Sequence, residues 1–453
     1  MFVLGTAALS AGAAAEAIFA RKSGAPNFIL ILTDDQGYGD LGCYGATDLR
    51  TPNLDALAAG GIRMTSFYSP SPVCSPARAG LLTGRYPDRT GILGVLRKHH
   101  DQTGMDLGEV TLAEVLARHG YVTGLCGKWH LGVGPKYRPR ARGFQETFGL
   151  LNGMMDYYTH IGGGGMDGQP SLFRNDQPVD EKGYFTDLVN REALAFLERH
   201  HERPFFLFLS YTAPHLPLQA PEEIVEQFSE LRQKNPQRAV YAAMLYCADA
   251  GIGRIRERLR TLGIADRTVI IFLSDQGWVQ DRAHGAASNN GGLSSRGLTG
   301  GKYYLAEGGI RVPCIFFIPG CQPAVNDTLA INLDVFPTIL SLAGCKTPAA
   351  RPLDGIDLLP NLADPTRQLE RTLFWRFRDD QIGTGEQWAA RRGPWKVIHL
   401  DGRTRLFNLR EDEAETEDLA SQHPALVAEL QAQYQRWLRT LPAISWKSKA
   451  DGR

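Results

Sequence analysis

The sequence is short of four things, and each shortage narrows what the chain can be. It has no surplus of charge, 49 Lys and Arg standing against 49 Asp and Glu. Gripping nucleic acid across a broad face needs a basic surplus, so no nucleic-acid partner is expected and any anion must be met by local groups. It has no C-x-x-C pair among its seven cysteines, at 43, 74, 126, 247, 314, 321 and 345, which supports neither a zinc ribbon nor a thioredoxin-like motif. Past its first residues it has no apolar run long enough to span a membrane, and it has no internal repeat.

What is present starts with residues 1–22, which are small and apolar, Phe2-Val3-Leu4-Gly5 running into Ala13-Ala14-Ala15. They read as the core and cleavage region of a secretory leader without its positive opening, so the protein is expected to be exported, periplasmic or secreted. At 453 residues the chain exceeds a typical single domain. The division expected is a large α/β domain over 26–365, a Pro-rich connection near its end, and an α+β subdomain over 366–453.

From Asn27 apolar runs alternate with helical patterns. Phe28-Ile29-Leu30-Ile31-Leu32 reads as a strand buried on both faces, and it ends in Asp34-Asp35. Two adjacent carboxylates repel unless a cation or another positive group sits between them. The Gly37-x-Gly39-x-x-Gly42 that follows matches a dinucleotide fingerprint formally, but no helix opens at its third glycine, so it is rejected. Thr51-Pro52 opens a helix stopped by Gly60-Gly61, and Thr111 to Glu114 is a capping box whose helix ends near Gly120. A strand from Tyr121 delivers Lys128 and His130, one from Pro204 to Ser210 exits toward His215, and one from Thr268 to Ser274 ends in Asp275-Gln276. Helices are expected over 184–201 and 240–262, the second with a solvated Arg-rich face. Open parallel sheets bind ligands beyond the carboxyl ends of their strands, so these polar groups are expected in one crevice.

The stretch from Cys74 to Arg85 has the character of a helix mouth. Pro76 suits the first helical position, which places Cys74 and Ser75 at or just before the cap. Unpaired N–H groups and the charge of Arg78 favour an anion there.

Cys74-x-Pro76-x-Arg78-x-x-x-Leu82-Thr83-Gly84-Arg85 resembles the signature of the type I sulfatases, members of the alkaline phosphatase superfamily. Thr33-Asp34-Asp35-Gln36-Gly37-Tyr38-Gly39-Asp40, Gly127-Lys128-Trp129-His130-Leu131-Gly132, Asp275-Gln276-Gly277 and Gly300-Gly301-Lys302 with Glu307 to Pro313 are similar to other segments of that family. The resemblance implies a large mixed, mostly parallel sheet sandwiched by helices, with a smaller C-terminal antiparallel sheet and one packed helix. It implies that Cys74 becomes formylglycine through a formylglycine-generating or anaerobic maturation enzyme. Hydrated, that aldehyde has one hydroxyl to attack sulfur and a second to expel sulfate. Asp34, Asp35, Asp275, the Gln276 carbonyl and modified Cys74 then form an oxygen set suited to Ca²⁺, with Mg²⁺ as the other hard cation. Lys128 and Lys302 supply charge for the sulfate, Arg78 steadies the diol, His130 assists loss of sulfate, and His215 with Lys302 protonates the leaving alcohol. Gln276 departs from the asparagine commonest at its position, and its carbonyl sits on a longer arm.

Asp156-Tyr157-Tyr158-Thr159-His160 resembles a segment of sulfatases acting on N-acetylgalactosamine 4-sulfate. His160, with Lys98, His99 and His100, would line a sugar subsite; equally, the tyrosines are core and the rest is loop. A sulfated carbohydrate or aryl sulfate is the expected substrate. A phosphonate or phosphodiester hydrolase with the same modified cysteine, or a glycan-binding protein that never oxidises Cys74, are the alternatives. In the C-terminal part short strands are expected over 388–392, 395–399 and 405–409, then an amphipathic helix over 424–440.

Overall fold

A computed structural model describes residues 25–97, 103–163, 168–279, 296–348, 351–380 and 382–442. The leader expected at 1–22, and Lys98, His99 and His100 with it, lie outside the described residues. Strand β1 (Asn27–Thr33) is buried along its whole length. Its side chains alternate between two cores. Phe28, Leu30 and Leu32 meet Leu81, Leu112, Leu116 and Phe336 on one face. Ile29 and Ile31 meet Leu54, Leu188, Leu197, Ile252 and Ile255 on the other. Each fully buried side chain of this size stabilises the fold by about 1.5–3 kcal/mol, so β1 anchors both layers.

The helices that supply those residues are α1 (Pro52–Ala59), α2 (Cys74–Thr83), α3 (Leu112–Arg118), α4 (Phe185–His200), α5 (Pro236–Thr261) and α6 (Val335–Leu342). α2, α3 and α6 cover the first face, and α1, α4 and α5 the second. Between them lies a 10-stranded sheet. Its centre is β2 (Val122–Lys128), β3 (Glu146–Leu150), β4 (Phe205–Ser210), β5 (Thr268–Ser274) and β6 (Cys314–Phe317), in the spatial order β6-β5-β1-β4-β2-β3. β5, β1, β4, β2 and β3 run parallel, and β6 is antiparallel to β5. Thr33 pairs with Ser274, and Leu32 and Gly127 both pair with Ser210, so the carboxyl ends of four strands finish level.

The C-terminal unit is a four-stranded antiparallel sheet of β7 (Thr372–Arg378), β8 (Glu386–Arg392), β9 (Trp395–Leu400) and β10 (Arg403–Asn408). Helix α7 (Pro424–Leu438) packs on it, Trp388 stacking on Tyr434 at 4.7 Å and Phe374 on Trp437 at 5.3 Å between ring centroids. Among the described residues no helix is long and apolar enough to cross a membrane. All seven cysteines are free.

Three local expectations shift. Helix α2 opens at Cys74 with Val73 as its cap, two residues earlier than Pro76 suggests. The first four N–H groups of a helix lack intrahelical partners, so proline is as cheap at the third position as at the first. α5 begins at Pro236 rather than Val240, because the Asn235 side chain accepts from the Arg238 N–H at 3.1 Å. β7 was not expected at all. Leu373, Trp375 and Phe377 face the core, but Phe374 on the other side packs against Trp437, which hides the alternation.

Gly127 makes the tightest approach between central strands. Its φ is 118°, and a Cβ there would lie 1.8 Å from the Ser210 carbonyl oxygen. Gly127→Ala is therefore expected to destabilise by about 3 kcal/mol or more. At Gly120, φ 86° with nothing within 4 Å of a Cβ, alanine should cost only about 1–2 kcal/mol. Urea unfolding followed by circular dichroism checks both, and equal losses would contradict the close approach.

Candidate active site

Four strand exits converge on the start of α2. β1 delivers Asp34 and Asp35, β5 delivers Asp275 and Gln276, β2 ends on Lys128 and runs into His130, and His215 follows β4. All are buried, as are Cys74, Arg78 and Lys302. Asp35 and His130 leave their strands at φ 63° and 62°, a left-handed conformation in which Asp and His are enriched among residues with side chains.

Arg78, one helical turn beyond Cys74, joins the strands. Its Nε and Nη2 donate to Asp275 Oδ2 at 3.0 and 2.8 Å, and its Nη1 donates to Ser210 Oγ at 2.7 Å and the Lys128 carbonyl at 3.2 Å. Lys128 Nζ lies 2.5 Å from Asp34 Oδ2, with Arg78 Nη2 3.4 Å from the same oxygen. Lys302 Nζ donates to Asp35, 2.8 Å from Oδ1, and lies 3.3 Å from His215 Nε2. Gln276 Nε2 donates to Asp35 Oδ1. Asp275 Oδ1 accepts from the Gln276 N–H at 2.9 Å and the Asp35 N–H at 3.3 Å.

The carboxylates divide the available positive charge unequally. Burial pushes Asp34 up, but Lys128 first, then His215, Arg78 and Lys302, hold it far below the usual carboxylate range. Asp275 moves the other way, up to about 7, through burial first and the Asp34 charge second, against the pull of Arg78. Three acids so close raise one another's affinity for protons. Asp34 Oδ1 and Gln276 Oε1 are buried acceptors with no hydrogen-bond partner among the described residues, an arrangement costing about 1–3 kcal/mol each unless something positive faces them. Asp34, Asp35 and His215 also bring potential ligand atoms within 4.8 Å of one another. An oxygen-rich pocket with two unpartnered acceptors fits a hard divalent cation.

Cys74 is the first residue of α2, and its Sγ is 3.2 Å from His130 Nδ1. His130 Nε2 lies 3.1 Å from the Leu96 carbonyl, which can only accept, so Nε2 carries the proton and Nδ1 presents its lone pair to residue 74. Burial, then Lys128, keep this imidazole well below its ordinary pKa and hence neutral. Burial also pushes the Cys74 thiol up, and a protonated thiol is a poor nucleophile. His215 Nδ1 donates to the Leu216 carbonyl at 2.6 Å, leaving Nε2 to face Lys302. Burial first and Lys302 next, opposed by Asp35, bring His215 down to about 4.

Two participants carry no mark in the sequence. Ser210 bridges Arg78 to the Lys128 carbonyl, itself donating at 2.7 Å. Leu96 acts through its backbone oxygen, which no sequence pattern marks. Tyr157 is buried and donates from its hydroxyl to the His215 carbonyl at 3.0 Å, so it belongs to the core rather than to an open sugar platform, while Tyr158 is exposed. His160 is buried too, its Nε2 bonded to the Gly183 carbonyl at 3.1 Å and its ring edge-on to Phe185.

Comparison with known proteins covers the span of chain that carries these residues. The family model described as Sulfatase matches residues 26–345. Arylsulfatase A of Homo sapiens is 36% identical over 400 residues, covering 82% of this chain and 74% of that protein. N-acetylgalactosamine-6-sulfatase of Mus musculus is 36% identical over 375 residues, covering 77% and 68%. The crystal structure of Ps i-CgsB in complex with k-i-k-neocarrahexaose matches with a TM-score of 0.84 at 32% identity, covering 94% of this chain and 96% of that one. The matched span runs from the residue before β1 to just beyond α6 and takes in every strand that feeds the crevice: the chain belongs to the sulfatase family and is a sulfatase.

Proposed function

We propose that the protein releases inorganic sulfate from a sulfated carbohydrate through a formylglycine made from Cys74 and a divalent cation, Ca²⁺ or Mg²⁺. Asp34, Asp35, Asp275, Gln276 and modified residue 74 would hold the cation. The observation that carries this reading is the placement of Cys74 against the lone pair of a neutral His130, in a chain whose neighbouring strand exits bear two buried oxygens without donors.

Once present, the hydrated aldehyde would supply a carbon bearing two hydroxyls, and the cation would supply Lewis-acid charge for the sulfate oxygens. The chain's own residues do the rest. His130 accepts a proton from the hydroxyl of residue 74 at Nδ1. Arg78, fixed by Asp275 and Ser210, keeps a full positive charge one turn along the same helix. Lys128 at the end of β2 and Lys302 in the loop before β6 hold the anion, and two ammonium groups in a dry pocket attract it far more strongly than in water. Lys302 and His215 Nε2, 3.3 Å apart, pass a proton to the departing alcohol.

A sugar ester is favoured because one relative is an N-acetylgalactosamine-6-sulfatase and a solved neighbour holds k-i-k-neocarrahexaose. His160 is left out of the substrate-facing set because its ring is buried and bonded. We take 26–365 as the catalytic unit and 366–453 as a subdomain bordering it, with export and a separate maturation enzyme as parts of the same reading.

Co-expression with a formylglycine-generating enzyme should convert Cys74 to an aldehyde, seen by mass spectrometry of the peptide carrying it. Cys74→Ala should then lower aryl sulfate hydrolysis by at least about 10³-fold. Full activity with an unmodified thiol at 74 would end the proposal. Chelation should lower the melting temperature as well as the rate, and added Ca²⁺ should restore both. Gln276→Leu is expected to weaken Ca²⁺ by about 10–100-fold, read from the Ca²⁺ dependence of the melting temperature. An unchanged dependence would remove Gln276 from the ligand set.

A further inference from the structure

Lys302 does its work at the end of a chain segment that the large sheet does not hold by itself. On one side its N–H donates to the Trp278 carbonyl at 2.7 Å, and the next N–H, of Tyr303, donates to the Pro72 carbonyl at 3.0 Å. Tyr303 stands at φ 75°, a strained conformation for a bulky side chain that persists only where its surroundings over-determine it. The other side of the segment belongs to the C-terminal sheet. Gln387, on β8 and fully buried, donates from Nε2 to the Tyr303 carbonyl at 2.9 Å and accepts at Oε1 from the Leu305 N–H at 3.0 Å. Farther along, Glu415 Oε2 accepts from the Glu307 N–H at 2.7 Å. A primary amide offers a donor and an acceptor at once, so Gln387 clasps the backbone on both sides of Tyr304.

We propose that Gln387 is a positioning residue for catalysis: it fixes the left-handed turn at Tyr303 and thereby the place of the Lys302 ammonium between Asp35 and His215. The C-terminal sheet would then contribute to the reaction through one side chain that never touches substrate. The inference rests on the role assigned to Lys302 under the proposed function. Its physical basis is that a lysine shifted by about 1 Å from its productive place can cost on the order of 10²-fold in rate although every reacting group is still present.

The test uses the full-length, matured enzyme and 4-nitrophenyl sulfate, with Gln387→Met and Gln387→Glu made in the wild-type and Lys302→Ala backgrounds. Gln387→Met, close in length and without either hydrogen bond, should lower kcat by about 10–100-fold, with KM changed by less than about 3-fold. Gln387→Glu keeps the acceptor for Leu305 and, held protonated by burial, a donor for the Tyr303 carbonyl, and should lose less. In the Lys302→Ala background the methionine change should cost less than about 2-fold, because the group being positioned is already gone. Equal fold-losses in the two backgrounds, or an undiminished kcat in folded Gln387→Met, would overturn the proposal. Circular dichroism reports folding; if Gln387→Met does not fold, the glutamate variant carries the same comparison, and failure of both makes the amide a purely structural element and refutes it. Absence of turnover by the wild-type enzyme would sink the catalytic reading of Lys302 itself, a result distinct from any pattern among the variants.

Discussion

Crowding of like charge at the ends of two adjacent strands governs this molecule. Asp34, Asp35 and Asp275 are fully buried and close together, and at an effective dielectric near 20 two such charges 4 Å apart repel by about 4 kcal/mol. Arg78, Lys128 and Lys302 answer them, and each of those cations is itself buried, so none is tolerable without its acid. Each acid meets its own cation: Asp34 the Lys128 ammonium, Asp275 the Arg78 guanidinium and Asp35 the Lys302 ammonium. The groups that would perform the chemistry are the same groups that make the buried acids affordable.

Much of this was legible in the chain because it is written in short range. Apolar runs such as Phe28 to Leu32 and Thr268 to Ser274 have no solvated face, so they read as central strands, and the polar residues at their exits read as one crevice. The resemblance to sulfatases rested on contiguous segments, and the family match over 26–345 agrees with it. What escaped notice acts through groups that sequence does not distinguish. The Leu96 carbonyl is one backbone oxygen among hundreds. Ser210 matters because parallel pairing sets it beside Gly127. Tyr157 could be assigned to the core only once its hydroxyl was seen against the His215 carbonyl. The start of α2 is not fixed by its sequence because proline is tolerated throughout the first turn, and residues in that turn are not told apart by composition.

The two sheets divide the labour unequally. The large one supplies the strand ends and, through α2, the helix terminus that carries Cys74. The small one meets it through buried polar contacts rather than through apolar packing alone. Lys396 on β9 pairs with Glu307 and Glu415, both at 2.9 Å, and the Trp375 indole donates to the Ser69 carbonyl at 2.8 Å. Directional contacts of this kind fix orientation as well as proximity. The seam they form runs directly beside the segment that leads away from Lys302.

Level strand ends have an implication for how such an enzyme diversifies. Because Thr33, Ser274, Ser210 and Gly127 are tied rung to rung, sliding any one strand by a single residue would move its terminal group by about 3.3 Å and turn it to the opposite face. The floor of the crevice is thus a fixed ruler, set by backbone pairing and independent of the surrounding loops. New specificities have to be acquired by lengthening, trimming or rewriting the surrounding loops, and insertions there leave the spacing of the floor intact.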